Sequence, residues 1–233
     1  MMSEPLTRSS ILVWLAVALP VTLMLLRLTV LNPAGATVTC LEAERSFESV
    51  DFTSAVPERP ALLLGNRRVA NWQLTPEALR GHEVVVRTVP GLAIENLDGC
   101  FPRLIGHYQP ELLVVMIDTI NDDREASSAL DAIEGIVAQR ELYGLFFDLW
   151  ITPPIETPLS TSRLSAVASG FNDGLAQWAA GQANVFIVDP SSQLSNEEGL
   201  PDATLFWPNG DTLNSAGYKK LQTALQDAIN ARG

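Results

Sequence analysis

The sequence predicts an α/β fold: a three-layer sandwich built on a five-stranded parallel sheet, preceded by one transmembrane helix. Three observations carry this expectation. Five short runs, over residues 61–64, 83–86, 111–117, 145–150 and 184–188, are rich in Val, Ile, Leu and Phe, as strands buried on both faces require. Helical patterns separate them near residues 76–80, 92–108, 124–143 and 159–181, and a last one covers 214–231. Strands alternating with helices build a parallel sheet covered on both sides. Ahead of all this lies an apolar segment over residues 11–31.

Taken in order, residues 1–10 form a short cytoplasmic N-terminus and 11–31 the span. Its 21 positions, interrupted chiefly by Pro20 and Arg27, match the length a helix needs to cross a bilayer. Proline is tolerated in such helices, and Arg27, about a turn from the far end, can snorkel to the headgroups. Arg8 precedes the span, and past it no Lys or Arg follows until Arg45, which orients the N-terminus inward. The expected location is a bacterial inner membrane, crossed once, with the domain in the periplasm. The competing reading is a cleaved signal peptide, since Ala34-Gly35-Ala36 has the small-x-small pattern of a cleavage site. Residues 32–59 read as a polar tether, and 60–233 as one globular domain.

The formal charge of −12 and a pI near 4.5 argue against nucleic acid and anionic lipid as partners. Only two cysteines occur, Cys40 and Cys100. An exported location permits a disulfide between them, and a pair of buried thiols is the alternative. No cofactor motif and no metal-ligand spacing is present, so neither a cofactor nor a metal is expected.

In a sheet of this kind ligands bind beyond the carboxyl ends of the strands. The loops at 65–72, 88–91, 118–123, 153–158 and 191–202 would frame a site there. Four sequence blocks fall on or beside those loops. The first, Leu62-Leu-Leu-Gly-Asn-Arg-Arg-Val-Ala-Asn-Trp72, leaves the first strand. Val89-Pro90-Gly91 follows the second strand, and Asp118-Thr-Ile-Asn-Asp122 the third. Trp207-Pro-Asn-Gly-Asp-Thr-Leu-Asn-Ser-Ala-Gly-Tyr218 opens the last helix.

These blocks, in this order, resemble the four motif blocks of the SGNH (GDSL-like) hydrolases, whose sandwich is flavodoxin-like. The resemblance spans about 160 residues and implies the fold, yet it is evidence against the family's activity. Gly65 and Arg68 match, but Arg67 stands where the nucleophilic serine belongs. Thr88 replaces the oxyanion-hole glycine unless the register shifts to Gly91. Asn121 is kept, while Asn209 falls on the aspartate and Thr212 on the histidine. A serine esterase needs a hydroxyl whose proton passes to an imidazole oriented by a carboxylate. Arginine offers no nucleophile, and threonine is no base near neutral pH. The two histidines, His82 and His107, each precede a strand and so belong to the opposite pole of the sheet.

What remains at the expected site suggests binding. Arg67 is expected to pair with a carboxylate such as Asp118, or to join Arg68 and Asn121 in holding an anionic or carbohydrate ligand. Trp72, Trp150 and Trp207 lie near the strand ends and could stack on sugars, or fill the core. Asp118, Asp122, Asp123, Asp189 and Asp211 read as caps and loop charges, with a metal site or a carboxylate hydrolase as the sharper alternatives. The first functional expectation is therefore a membrane-anchored pseudoenzyme serving as an accessory or scaffold subunit among other inner-membrane proteins. The second is an esterase or O-acyltransferase on cell-envelope polysaccharide with a displaced nucleophile such as Ser160 or Ser215. A carbohydrate-binding module is the third.

Overall fold

Each β-strand that carries the sheet alternates its side chains between two apolar layers, and this alternation sets the architecture. The structure is a computed structural model that describes residues 40–53, 55–72, 79, 81–88 and 94–232. The expected span over 11–31, most of the 76–80 helix and Val89-Pro90-Gly91 lie outside the described residues. Among the described residues, no helix is long and apolar enough to cross a membrane.

The elements run α1 (Cys40–Thr53), β1 (Ala61–Gly65), α2 (Arg67–Ala70), β2 (Val84–Thr88), a 3-10 turn (Ile94–Asn96), α3 (Phe101–Leu104), a second 3-10 turn (Gly106–Tyr108) and β3 (Leu112–Met116). Then follow α4 (Asp123–Leu142), β4 (Asp148–Thr152), α5 (Ser162–Ala179), β5 (Val185–Ile187), α6 (Ser191–Leu194), a third 3-10 turn (Ala203–Leu205) and α7 (Ser215–Asn230). The sheet order is β2-β1-β3-β4-β5, with every pairing parallel. The five expected strands are all present. The fourth is displaced to 148–152, because Gly144, at φ +63, turns the chain out of α4 and residues 145–147 are spent leading into the sheet.

Leu62, Leu64, Leu113, Val115, Leu149 and Ile151 face one layer, where Phe101, Ile133, Ile136, Phe171 and Leu175 of α3, α4 and α5 meet them. Ala61, Leu63, Leu112, Val114, Met116 and Trp150 face the other, against Val69 of α2 and Leu221 and Leu225 of α7. Helices on both faces make the sandwich doubly wound. The long helices start where their caps dictate: Asp122 accepts from the Glu125 amide, Thr161 from that of Leu164, and Asn214 from those of Ala216 and Gly217.

Two expectations need correction. A single helix over 92–108 does not form: Gly99, Pro102 and Gly106 punctuate it, leaving short turns and the four-residue α3. Nor are residues 40–53 part of a polar tether. They form α1, whose Ala43 and Phe47 are buried in the core. Burying a Phe side chain contributes roughly 1.5–3 kcal/mol. A polar latch adds to it: Asp51 pairs with Arg87, and the Tyr108 hydroxyl donates to Asp51 at 2.7 Å while accepting from Arg87 Nε at 2.8 Å. Burial, and then the bond to Asp51, push the Tyr108 phenol up to about 12.

Cys40, the first residue of α1, is disulfide-bonded to Cys100, with their Cα atoms 5.2 Å apart. The bridge closes a loop with a sequence separation of 60, for which chain entropy gives a stabilisation of roughly 4 kcal/mol. The Cys40→Ser, Cys100→Ser double variant is therefore expected to unfold in urea with a stability lower by about that amount. An unchanged midpoint would mean that Phe47 and the Asp51 latch hold α1 without the covalent tie.

Candidate functional site

The carboxyl ends of β1 and β3 lie side by side, Gly65 paired with Met116, and this brings the first and third sequence blocks together. Gly65 is required there: a Cβ on it would lie 2.3 Å from Val69 Cγ2 and 3.2 Å from the Met116 carbonyl. α2 starts two residues later and places Arg67 and Arg68 at the pole. The closing block is brought to the same place by α7. The Tyr218 hydroxyl donates to the Arg68 carbonyl at 2.8 Å, across 150 residues of sequence. Gly217 makes the approach possible, since a Cβ at that position would meet the Leu205 carbonyl at 2.3 Å. Asn214 ties the loop down by donating to the carbonyls of Thr204 and Phe206 at 2.8 and 3.2 Å.

Arg67 does not pair with Asp118. Its Nη2 lies 2.8 Å from Asp211 Oδ2, in the loop that also carries Asn209 and Thr212. Asp118 is instead held by the backbone: the Arg68 amide reaches both its oxygens at 3.3 Å, and the Arg67 amide also donates to it. The reason is geometric. An acceptor at the end of β3 faces the free N–H groups of the first turn of α2, while the long Arg67 side chain swings outward to the next loop. Arg68 turns inward and is 8% exposed, and its buried Nη1 has no hydrogen-bond partner among the described residues.

Burial dominates the electrostatics of this cluster. It holds the Arg68 guanidinium below its ordinary range, with the charge of Asp118 as the largest opposing effect. It likewise pushes the Asp118 carboxyl up, against the pull of Arg68. The Tyr218 phenol rises to about 12, again chiefly through burial. The space left between Arg67, Arg68, Asp118, Asp211, Thr212 and Tyr218 is about 10 Å³. A cavity needs at least about 10–15 Å³ to hold one water, so the space among these side chains admits no organic ligand, while a neighbouring pocket of about 130 Å³ opens on the other side of Asp118 and Asp211.

Asn209 and Thr212 keep the relation of an orienting group to its partner, but as a neutral pair. Asn209 Nδ2 donates to Thr212 Oγ1 at 3.1 Å, and its oxygen accepts the amides of Asp211 and Thr212 at 3.2 Å each. Thr88 closes β2, whereas Gly91, its alternative, lies outside the described residues. Asn121 does not join the cluster: its amide and side chain both donate to Glu125 Oε2, at 2.6 and 2.9 Å, and it is exposed. Asp122 caps α4, which Asp123 begins, and Asp189 accepts the Ser191 amide at 2.9 Å. Ser160 accepts the Thr157 amide at 2.9 Å in the loop before α5, and Ser215 is the first residue of α7. His82 pairs with Glu111 at the amino-terminal pole, and His107 lies edge-on to Tyr108. Among the described residues no group of three or more His, Cys, Asp or Glu side chains is placed to hold a metal ion.

The tryptophans divide. Trp150 sits in the middle of β4 against Phe186 and lines a groove at the amino-terminal pole with His82 and Glu111, away from the cluster. Trp72 and Trp207 share a separate groove of about 530 Å³ beside the closed cleft, with Tyr218 and residues of α7. Sequence reasoning missed Asp211 as the partner of Arg67, and it missed Lys219 and Gln222 in the groove. The signal for the latter was present: Ser215, Tyr218, Lys219 and Gln222 follow the i, i+3, i+4, i+7 spacing of one helix face.

No family model matches the sequence, and no curated protein matches it. Solved structures do. A GDSL-like lipase from Bacteroides thetaiotaomicron VPI-5482 superposes with a TM-score of 0.63 at 12% identity, covering 82% of this chain and 98% of its own. A carbohydrate esterase family 3 protein from Talaromyces cellulolyticus gives 0.55 at 14% identity, over 74% of this chain and 97% of the other. A catalytic mutant of Axe2, an acetylxylan esterase from Geobacillus stearothermophilus, gives 0.57 at 12% identity, over 74% and 96%. The chain has the α/β fold of the SGNH (GDSL-like) hydrolases and esterases.

The two carboxylates of the cluster should differ sharply in their contribution. Arg67 and Asp211 are 65% and 34% exposed in their side chains, so Asp211→Ala is expected to cost less than about 1 kcal/mol. Asp118→Ala removes the acceptor of two amides and leaves the buried Arg68 without its nearest counter-charge, at an expected cost of about 2–3 kcal/mol. Urea unfolding of the two variants at pH 7 measures the difference.

Proposed function

We propose that this chain is a catalytically silent, membrane-anchored SGNH-fold domain that acts by binding, as an accessory or scaffold subunit of a protein assembly on the periplasmic face of the inner membrane. The observation that carries the reading is the Arg67–Asp211 ion pair at the nucleophile position. A guanidinium there has no proton to yield and no lone pair to attack with, and its partner carboxylate is engaged by that charge. Among the described residues, neither alternative hydroxyl has a histidine beside it. Ser160 is bonded to Thr157, and the chain's two histidines stand at the other pole.

The apolar segment 11–31 and the order of positive residues around it support the anchor and its orientation. The disulfide is in keeping with an oxidising compartment. The fold is retained without the chemistry that the fold usually carries, and what such a domain still offers is a rigid, acidic surface. That suits a subunit whose partners are proteins and does not suit one that binds nucleic acid.

Extraction from native membranes in a mild detergent, followed by a native gel and mass spectrometry, tests this. The expected result is migration in a stoichiometric complex with other membrane proteins. Migration of the 25.3 kDa chain alone, with detergent only, would overturn the scaffold reading.

A further inference from the structure

We propose that the groove between α2 and α7 is an oligosaccharide-binding site, with Trp207 as its stacking platform. The site is distinct from the closed cleft, although Asn71, Thr212 and Tyr218 contribute to the walls of both. Its volume of about 530 Å³ falls in the ~300–1,000 Å³ range of small-molecule sites, whereas the cleft does not.

Trp207 is the first observation. The residue is 55% exposed, while its backbone is fixed on both sides: its amide donates to the Thr212 carbonyl at 2.8 Å and its own carbonyl accepts the Gly210 amide at 2.8 Å. Gly210, at φ +68, closes that turn, and the Phe206–Leu213 bridge anchors its base. With its backbone fixed, the exposed indole has only its two side-chain torsions left to lose on binding. The buried Trp72 ring, stacked on Tyr218 at 6.2 Å and 21°, forms the floor.

The second observation concerns the rim. Asn71, Ser215, Lys219 and Gln222 line the groove, the last three along one face of α7. Among the described residues, none of these four side chains has a hydrogen-bond or ion-pair partner. An acyl chain or an apolar peptide laid in the groove would bury those groups unpaired, at a cost of roughly 1–3 kcal/mol each. A sugar ring avoids that cost. Its apolar C–H face covers an indole while its hydroxyls, each donor and acceptor, serve the amides, the hydroxyl and the ammonium at the edge. Among the described residues that line the groove, Lys219 is the one charge, so a uronate carboxylate can be accommodated but is not required.

This reading stands independently of the scaffold role, because it is tested on the isolated chain and not on what accompanies it. The purified full chain, in a detergent without a sugar headgroup, is titrated calorimetrically with cellohexaose, chitohexaose and oligogalacturonate. Saturable one-to-one binding of at least one probe is expected. Trp207→Ala should weaken it about tenfold or more, and Trp207→Phe, which keeps a stacking face, should retain most of it. Lys219→Gln should weaken the uronate probe more than a neutral probe, because the neutral sugar loses one hydrogen-bond donor and the uronate loses its counter-charge as well. No binding of any probe at about 10 mM, or wild-type affinity in Trp207→Ala, overturns the proposal. Thermal melting of both Trp207 variants separates loss of the platform from loss of fold, since an exposed side chain should leave the midpoint in place.

Discussion

The contact between the Tyr218 hydroxyl and the Arg68 carbonyl is the constraint on which the carboxyl pole depends. It fastens the end of the chain to the first loop of the sheet, and it works only because two glycines permit the approach. Gly65 lets α2 fold back over the end of β3, and Gly217 lets α7 press on the Leu205 carbonyl. Asn214 completes the arrangement by serving both as helix cap and as a donor to two loop carbonyls. With these groups in place, the loop from Trp207 to Leu213 is held at its base by the Phe206–Leu213 bridge and within by the bonds at Trp207. That arrangement sets Asp211 against Arg67 on one side and opens the tryptophan groove on the other.

The frame and the chemistry of such a site are thus separable. Backbone contacts and small residues make the frame, and none of them requires a serine or an imidazole. The side chains that project from it are free to change as long as charge is compensated. Two arginines and two aspartates leave the cluster formally neutral, which matters where burial already raises the Asp118 carboxyl and lowers the Arg68 guanidinium. The neutral Asn209–Thr212 bond ties the loop to itself without adding a charge to the cluster.

The sheet was legible because its signal is strong. Strands buried on both faces are short, continuous and β-branched, as over 112–116, and the helices 123–142 and 215–230 show clear caps and apolar spacing. Residues 92–108 were harder, since their apolar content suggested a helix while Gly99, Pro102 and Gly106 broke it. The helix over 40–53 hid behind a polar composition, because few of its side chains, Cys40, Ala43 and Phe47 among them, reach the core. At the carboxyl pole, residues of the first, third and closing blocks come together, as their places after the strands lead one to expect. The partner of Arg67 was not legible, because choosing between Asp118 and Asp211 depends on where a loop ends in space and on which backbone amides claim the nearer carboxylate.

The central claim is that the frame of a serine hydrolase here holds no activated hydroxyl, and covalent labelling tests it most directly. The purified chain would be treated with a serine-directed fluorophosphonate and its intact mass measured, with tryptic mapping of any adduct. The account predicts an unmodified mass after exhaustive treatment. A stoichiometric adduct on Ser160, Ser215 or any other serine, lost when the protein is unfolded before treatment, would contradict it.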